Sequence, residues 1–122
     1  MEFKLTPYFS ANMAILRVEF TGNAGSRTVD AALDTGAELC CVDYRLITAV
    51  TSAEPIRYTR VKGMTGSSEN PLPVYALDLG LAGQTFLGVE VVAGQQPRHV
   101  IGMNLLNRLV LTVNGPGNQF QL

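Results

Sequence analysis

An apolar run, Val29, Ala31, Ala32 and Leu33, leads directly into Asp34-Thr35-Gly36, and Ala37 follows. No other feature restricts this chain as strongly. A carboxylate at the end of a buried strand has to leave the apolar interior at once, and a Gly-containing triplet lets it do so on a tight turn. The other aspartates, Asp30, Asp43 and Asp78, lack a Thr-Gly or Ser-Gly after them. The chain therefore carries one such carboxylate and no second copy.

The surrounding pattern is β. Ala14, Leu16, Val18 and Phe20 alternate with Arg17 and Glu19, as in a half-buried strand. Gly22-Asn23-Ala24-Gly25 turns it, and Arg27 to Leu33 returns. Leu39 to Val42 reads as a short buried strand. Asp43 is placed to cap a helix over Tyr44 to Val50, where Leu46, Ile47 and Val50 have helical spacing. A hairpin follows: Ile56 to Val61 outward, a tip at Lys62 to Ser68, Leu72 to Leu81 back, then Thr85 to Val92 after Ala82-Gly83. Val100-Ile101-Gly102 reads as a strand, Met103 to Arg108 as a short helix and Leu109 to Val113 as a strand. Asn114-Gly115 signals a turn and Gln119 to Leu122 a last strand. Within these strands Asp30 and Asp78 face outward.

A chain of 122 residues fits a single domain over 1–122. With 47% hydrophobic and 16% charged residues it is expected to be ordered. A net charge of −1 without a Lys/Arg cluster argues against nucleic acid, and no apolar run of about 18 residues argues for a membrane span. Cys40 and Cys41 are adjacent and have no other cysteine to pair with, which suits a reducing, cytoplasmic setting. Both read as small core residues. No metal site and no cofactor are expected, since His99 is the one histidine and no ligand set surrounds it.

Far downstream of Asp34 stands His99-Val100-Ile101-Gly102-Met103-Asn104-Leu105-Leu106. Together with Asp34-Thr35-Gly36-Ala37, this segment resembles the closing motif of the retropepsin family of aspartic proteases. The element order over residues 12–113 is compatible with that family. The resemblance implies an all-β, closed-barrel acid-protease half-domain with one or two short helices.

It also implies a homodimeric endopeptidase that hydrolyses peptides or proteins. A water is activated between two carboxylates that share one proton, because two such groups about 3 Å apart do not both ionise. With one eligible aspartate per chain, the second must be Asp34 of another copy. By resemblance Asp34, Thr35 and Gly36 form the catalytic triplet, Thr35 bonding across the two-fold axis or serving as a local turn hydroxyl. Gly36 is expected to supply backbone freedom. Ala37 and Glu38 match positions that contact substrate, though Glu38 reads equally as a surface charge. Lys62, Gly63, Met64, Thr65 and Gly66 resemble a flap over bound peptide, or form a plain exposed hairpin. Ile101 and Gly102 would pack behind the catalytic loop, Gly102 allowing a close chain crossing and Ile101 lying near substrate, and Asn104 would make structural hydrogen bonds. Segments Phe3 to Phe9 and Gln119 to Leu122 are interface candidates on the same basis.

The chain departs from the family in carrying Cys40 for Ser or Thr, Met103 for Arg, and fewer flap glycines, which points to a cellular or bacterial relative. The alternative reading is a catalytically weak dimerisation or peptide-binding module on the same fold.

Overall fold

The computed structural model describes residues 1–8, 11–63, 66–67 and 70–122. The chain opens with three short strands, β1 (Glu2–Lys4), β2 (Thr6–Tyr8) and β3 (Ala11–Met13). Then β4 (Ile15–Gly22) and β5 (Gly25–Leu33) form the expected hairpin, in register from Ile15↔Ala32 to Gly22↔Gly25. Leu16, Val18 and Phe20 are buried while Arg17 and Glu19 are exposed, as their alternation requires. Strand β6 (Cys40–Asp43) runs into helix α1 (Tyr44–Val50), where Asp43 accepts from the Arg45 N–H at 3.0 Å and Leu46, Ile47 and Val50 are buried.

A long hairpin follows. Strand β7 (Arg57–Thr59) pairs with β10 (Leu72–Leu81), and its tip is the small ladder of β8 (Lys62–Gly63) and β9 (Gly66–Ser67). After β11 (Gln84–Gly94) come β12 (Val100–Ile101), helix α2 (Met103–Leu106), β13 (Thr112–Asn114) and β14 (Gln119–Gln121). Several boundaries differ from the sequence expectation, two of them around α2. Helix α2 stops at Leu106 rather than Arg108, and the strand expected from Leu109 begins at Thr112. The cause is a tightening of the helix end. Arg108 and Leu109 donate to the carbonyls three residues back, Leu105 at 2.9 Å and Leu106 at 3.0 Å, which coils the chain through Leu109 before it can extend.

The fold is mostly β with two short helices among the described residues. Strands run in the order β11-β6-β12-β5-β4-β10, and β10 pairs back onto β11, closing a six-stranded barrel with β7 on its rim. Inside lie Phe20, Val42, Leu79, Val91, Ile101 and Leu105, all at 0% exposure. Burying side chains of this size stabilises by about 1.5–3 kcal/mol each. Strand β12 has two residues, yet it sits between β5 and β6, parallel to the first and antiparallel to the second. That insertion positions the Asp34 turn.

The chain ends form a separate sheet, β1-β14-β13. Phe3 stacks on Phe120 with ring centroids 5.1 Å apart, and the N-terminal ammonium donates to the Leu122 carbonyl at 2.8 Å. Of the terminal segments singled out in the sequence, Phe3 and Lys4 thus pair with Phe120 and Gln119 inside one chain, Thr6 to Tyr8 pair with β3, and Phe9 lies outside the described residues. Among the described residues no helix is long and apolar enough to cross a membrane.

Candidate active site

Strand β5 ends in the buried trio Ala31, Ala32 and Leu33, and Asp34 is the first residue beyond it. Its main-chain N–H donates to the Ile101 carbonyl at 2.9 Å, so the neighbouring strand β12 holds the start of the turn. The Ala37 N–H then donates to the Asp34 carbonyl at 3.2 Å and closes a four-residue turn. Within that turn the Gly36 N–H donates to Asp34 Oδ1 at 2.8 Å. One carboxylate oxygen is therefore fixed by the turn itself. The other, Oδ2, has no partner among the described residues. Asp34 is half-buried, and Thr35 and Gly36 are exposed.

Gly36 differs from expectation in one respect. Among the described residues the glycines with positive φ are Gly25, Gly83 and Gly88, so Gly36 does not need positive φ. What it provides is room. A Cβ there would stand 3.1 Å from Asp34 Oδ1 and press on the oxygen that the turn holds.

Gly102 has the opposite kind of necessity. A Cβ on it would lie 2.5 Å from the Leu39 carbon and oxygen and 2.9 Å from the Ala37 oxygen. The segment leaving the Asp34 turn crosses directly over Gly102. Beyond the crossing, the Met103 N–H donates to the Ala37 carbonyl at 2.7 Å and the Asn104 N–H to the Glu38 carbonyl at 3.0 Å. The free N–H groups at the start of α2 are thus used to hold residues 37 and 38.

These bonds limit what the neighbours of the turn can do. Ala37 has both main-chain groups engaged and a half-buried methyl group. Glu38 is exposed and its carbonyl is used. Its N–H and the Gly36 carbonyl are main-chain groups beside Asp34 without a partner among the described residues. Ile101 is fully buried, so its side chain supports the turn from behind and does not line a binding surface, contrary to the expected substrate contact.

Asp34, Thr35, Gly36, Ala37, Glu38 and Ile101 are therefore brought together. The flap candidates belong to a different element. Lys62, Gly63 and Gly66 form the β8–β9 tip of the β7–β10 hairpin, as expected for a hairpin end, while Met64 and Thr65 lie outside the described residues. The bonds of the Asp34 turn go to β12 and α2.

The other aspartates are committed elsewhere. Asp30 lies 3.7 Å from Arg17 on the exposed face of the β4–β5 hairpin. Asp43 is held by Arg45, with Nη2 at 2.7 Å from Oδ2, and this pairing keeps its carboxyl below the ordinary range. Asp78 is half-buried rather than free, because its Oδ1 accepts the Gly88 N–H at 2.9 Å across the bulge in the β10–β11 ladder. Among the described residues no cluster of three or more His, Cys, Asp or Glu side chains is arranged to hold a metal ion.

Both cysteines are free. Cys40 is fully buried, and burial pushes its thiol up to about 11. Cys41 is half-buried rather than a core residue, and burial raises its thiol as well. His99 ends the loop before β12. Its carbonyl accepts the Ala32 N–H at 3.0 Å, and its buried Nδ1 has no partner among the described residues.

The side chain of Asn104 makes structural hydrogen bonds, as its place in the motif suggested. Its Oδ1 accepts the Cys40 N–H at 3.0 Å, and its Nδ2 donates to the Glu90 carbonyl at 2.9 Å. The sequence carries no sign of either main-chain partner, because both come from strands distant along the chain. No family model matches this chain, and no curated protein matches it.

Proposed function

We propose that this chain is one half of a homodimeric aspartic endopeptidase, with Asp34 of each copy supplying one carboxylate of the catalytic pair. The observation that carries the reading is the state of Asp34. Its Oδ1 is fixed by the Gly36 N–H at 2.8 Å, its Oδ2 is unpartnered, and its turn is braced from behind by Ile101 and Gly102. A carboxylate held so firmly on one oxygen and free on the other is preorganised, since no reorientation is needed when a water or a carbonyl arrives.

The absence of a competing aspartate near it among the described residues supports a shared site, because Asp30, Asp43 and Asp78 are bound elsewhere. In such a site one carboxylate takes a proton from water while the other gives a proton to the scissile carbonyl. The open Glu38 N–H and Gly36 carbonyl suit an extended peptide, which offers one acceptor and one donor per residue along its edge. Exposure of Thr35 beside Asp34 suits a two-fold contact at the turn.

Incubation of the full chain with a random peptide library tests this reading. Wild type should cleave, and Asp34→Asn should retain less than about one part in a hundred of that rate, the scale of a lost acid–base group. Specific activity should also fall on dilution through the dimer dissociation range. Cleavage that survives in Asp34→Asn, or activity per chain that is constant in a monomeric solution, would sink the proposal.

A further inference from the structure

We propose that Asn104 is a positioning residue for the Asp34 site, a role that rests on the protease reading of that site. The observation is what its amide joins. Strands β6 and β11 form a parallel ladder in the register Val91↔Cys40 to Gly94↔Asp43. At the Cys40 end, where β6 emerges from the Asp34 turn, the Asn104 side chain stands between the two main chains. It accepts the Cys40 N–H at 3.0 Å and donates to the Glu90 carbonyl at 2.9 Å. One amide thus satisfies a donor on one strand and an acceptor on the other.

The consequence is where the ladder ends. Without the insert, the Cys40 N–H and the Glu90 carbonyl would seek each other or water, and the ladder would extend toward the turn. With it, the ladder ends at the Val91↔Cys40 pair, and the carbonyls of residues 37 and 38 are held by α2 instead. Two anchors then bracket Leu39. The Asn104 main-chain N–H holds the Glu38 carbonyl at 3.0 Å, and its side chain holds the Cys40 N–H. The peptide plane that offers the open Glu38 N–H lies just upstream of them. Cys40 Sγ also lies 3.4 Å from Asn104 Oδ1, so the thiol packs on the same oxygen without competing strongly for it. Asn104 touches no group expected to react. It acts by fixing the direction in which the segment beside Asp34 presents its main chain.

The test compares wild type with Asn104→Leu, which removes both bonds at similar volume, and Asn104→Asp, which keeps the acceptor for Cys40 and loses the donor to Glu90. Backbone amide NMR and amide exchange are read at residues 36–41, and KM and kcat are read on the peptide that wild type cleaves best from the library. Asn104→Leu should shift the Gly36 to Glu38 resonances, expose the Cys40 amide to exchange, and raise KM about tenfold, the scale of one buried group left unpaired, with a smaller change in kcat. Asn104→Asp should fall between the two. Should Asn104→Leu not fold, Asn104→Asp carries the same readings. A variant that melts earlier but keeps wild-type resonances at 36–38 and wild-type KM would reduce Asn104 to ordinary structural glue and overturn the proposal. If wild type cleaves nothing, the protease reading fails on its own, and the amide readings still decide whether Asn104 orients this segment.

Discussion

Two aspartates end or follow strands here, and both accept a main-chain N–H from two residues on. Asp34 accepts from Gly36 at 2.8 Å and Asp43 from Arg45 at 3.0 Å. Their outcomes diverge because of what comes next. After Asp43 the chain supplies a guanidinium, which takes both carboxylate oxygens, and a helix whose first turn the carboxylate caps. After Asp34 it supplies Thr-Gly, which leaves one oxygen open, and the bracing arrives from Ile101, Gly102, Met103 and Asn104. Asp43 is thus stabilised locally and has no capacity left, whereas Asp34 is stabilised from a distance and keeps an oxygen free. The same local turn serves structure in one place and is available for chemistry in the other.

The largest effect that could break this contrast comes from Gly102→Ala. A Cβ at 2.5 Å from the Leu39 main chain forces the crossing apart, and backbone atoms cannot swing aside as a flexible side chain would. Overpacking of this kind costs about 1–3 kcal/mol, and the Asp34 turn should lose its brace while Asp43 keeps its own. Thermal unfolding should show the loss, and NMR should show shifts concentrated at residues 34–40 with the Asp43 to Ile47 signals unmoved. Equal disturbance of both turns would mean that their bracing is not separate.

Smaller effects are expected from the paired variants Asp34→Asn and Asp43→Asn. An Asn at 34 still accepts the Gly36 N–H and loses no ion pair, so stability should change by less than about 0.5 kcal/mol, as for most sites outside the core. An Asn at 43 still caps α1 but loses the charge that pairs with Arg45. The sign with pH follows from the lowered carboxyl of Asp43, whose chief cause is the Arg45 hydrogen bond. A carboxyl depressed in the folded state adds stability above its unfolded value, near 3.8, and that stability is lost as pH falls through the folded value. Wild type should therefore melt above Asp43→Asn at neutral pH, and the two curves should converge in strong acid. A constant gap at all pH values would remove the ion pair from the explanation.

The sequence announced the local half of this contrast and concealed the distant half. Helix α1 was legible from its cap to Val50, because Asp43, Leu46, Ile47 and Val50 act within a few residues of one another. The β4–β5 hairpin was legible from its alternation and its glycine turn. The turn at Asp34-Thr35-Gly36 was legible for the same reason. The brace was only half visible. The resemblance implied a close chain crossing at Gly102, but that Leu39 is the crossing residue depends on how β12 inserts between β5 and β6, which no local pattern encodes. The same holds for β1 pairing with β14 across the whole chain, and for the Asn104 bridge from Cys40 to Glu90. The place of Ile101 behind the Asp34 turn follows the resemblance, whereas a contact with substrate does not fit it, because an apolar residue beside such a turn suits a binding wall as well as a buried support and burial alone separates the two.

The smallest expected effect belongs to His99, which touches both sides of the comparison. Its carbonyl holds Ala32 in the strand that leads to Asp34, while its ring feels the charge of Asp43. Burial lowers its pKa from 6.5, and the attraction of Asp43 offsets this in part. The buried, unpartnered Nδ1 gives the physical reason, since a proton added there would find no acceptor among the described residues. For a base depressed in the folded state, the unfolded chain binds the proton first as pH falls below 6.5. The folded state then loses stability over that interval, down to the folded value, below which the loss levels off. His99→Gln removes the titrating ring and leaves the main-chain carbonyl on Ala32. Between pH 7.5 and pH 5, wild type should lose more melting temperature than His99→Gln, by a few degrees at most on the scale of a single group in a domain this size (about 2–8 °C per kcal/mol). Parallel curves for the two proteins across that range would show that His99 stays uncharged, or charges without cost, and that the two aspartate turns are not coupled through it.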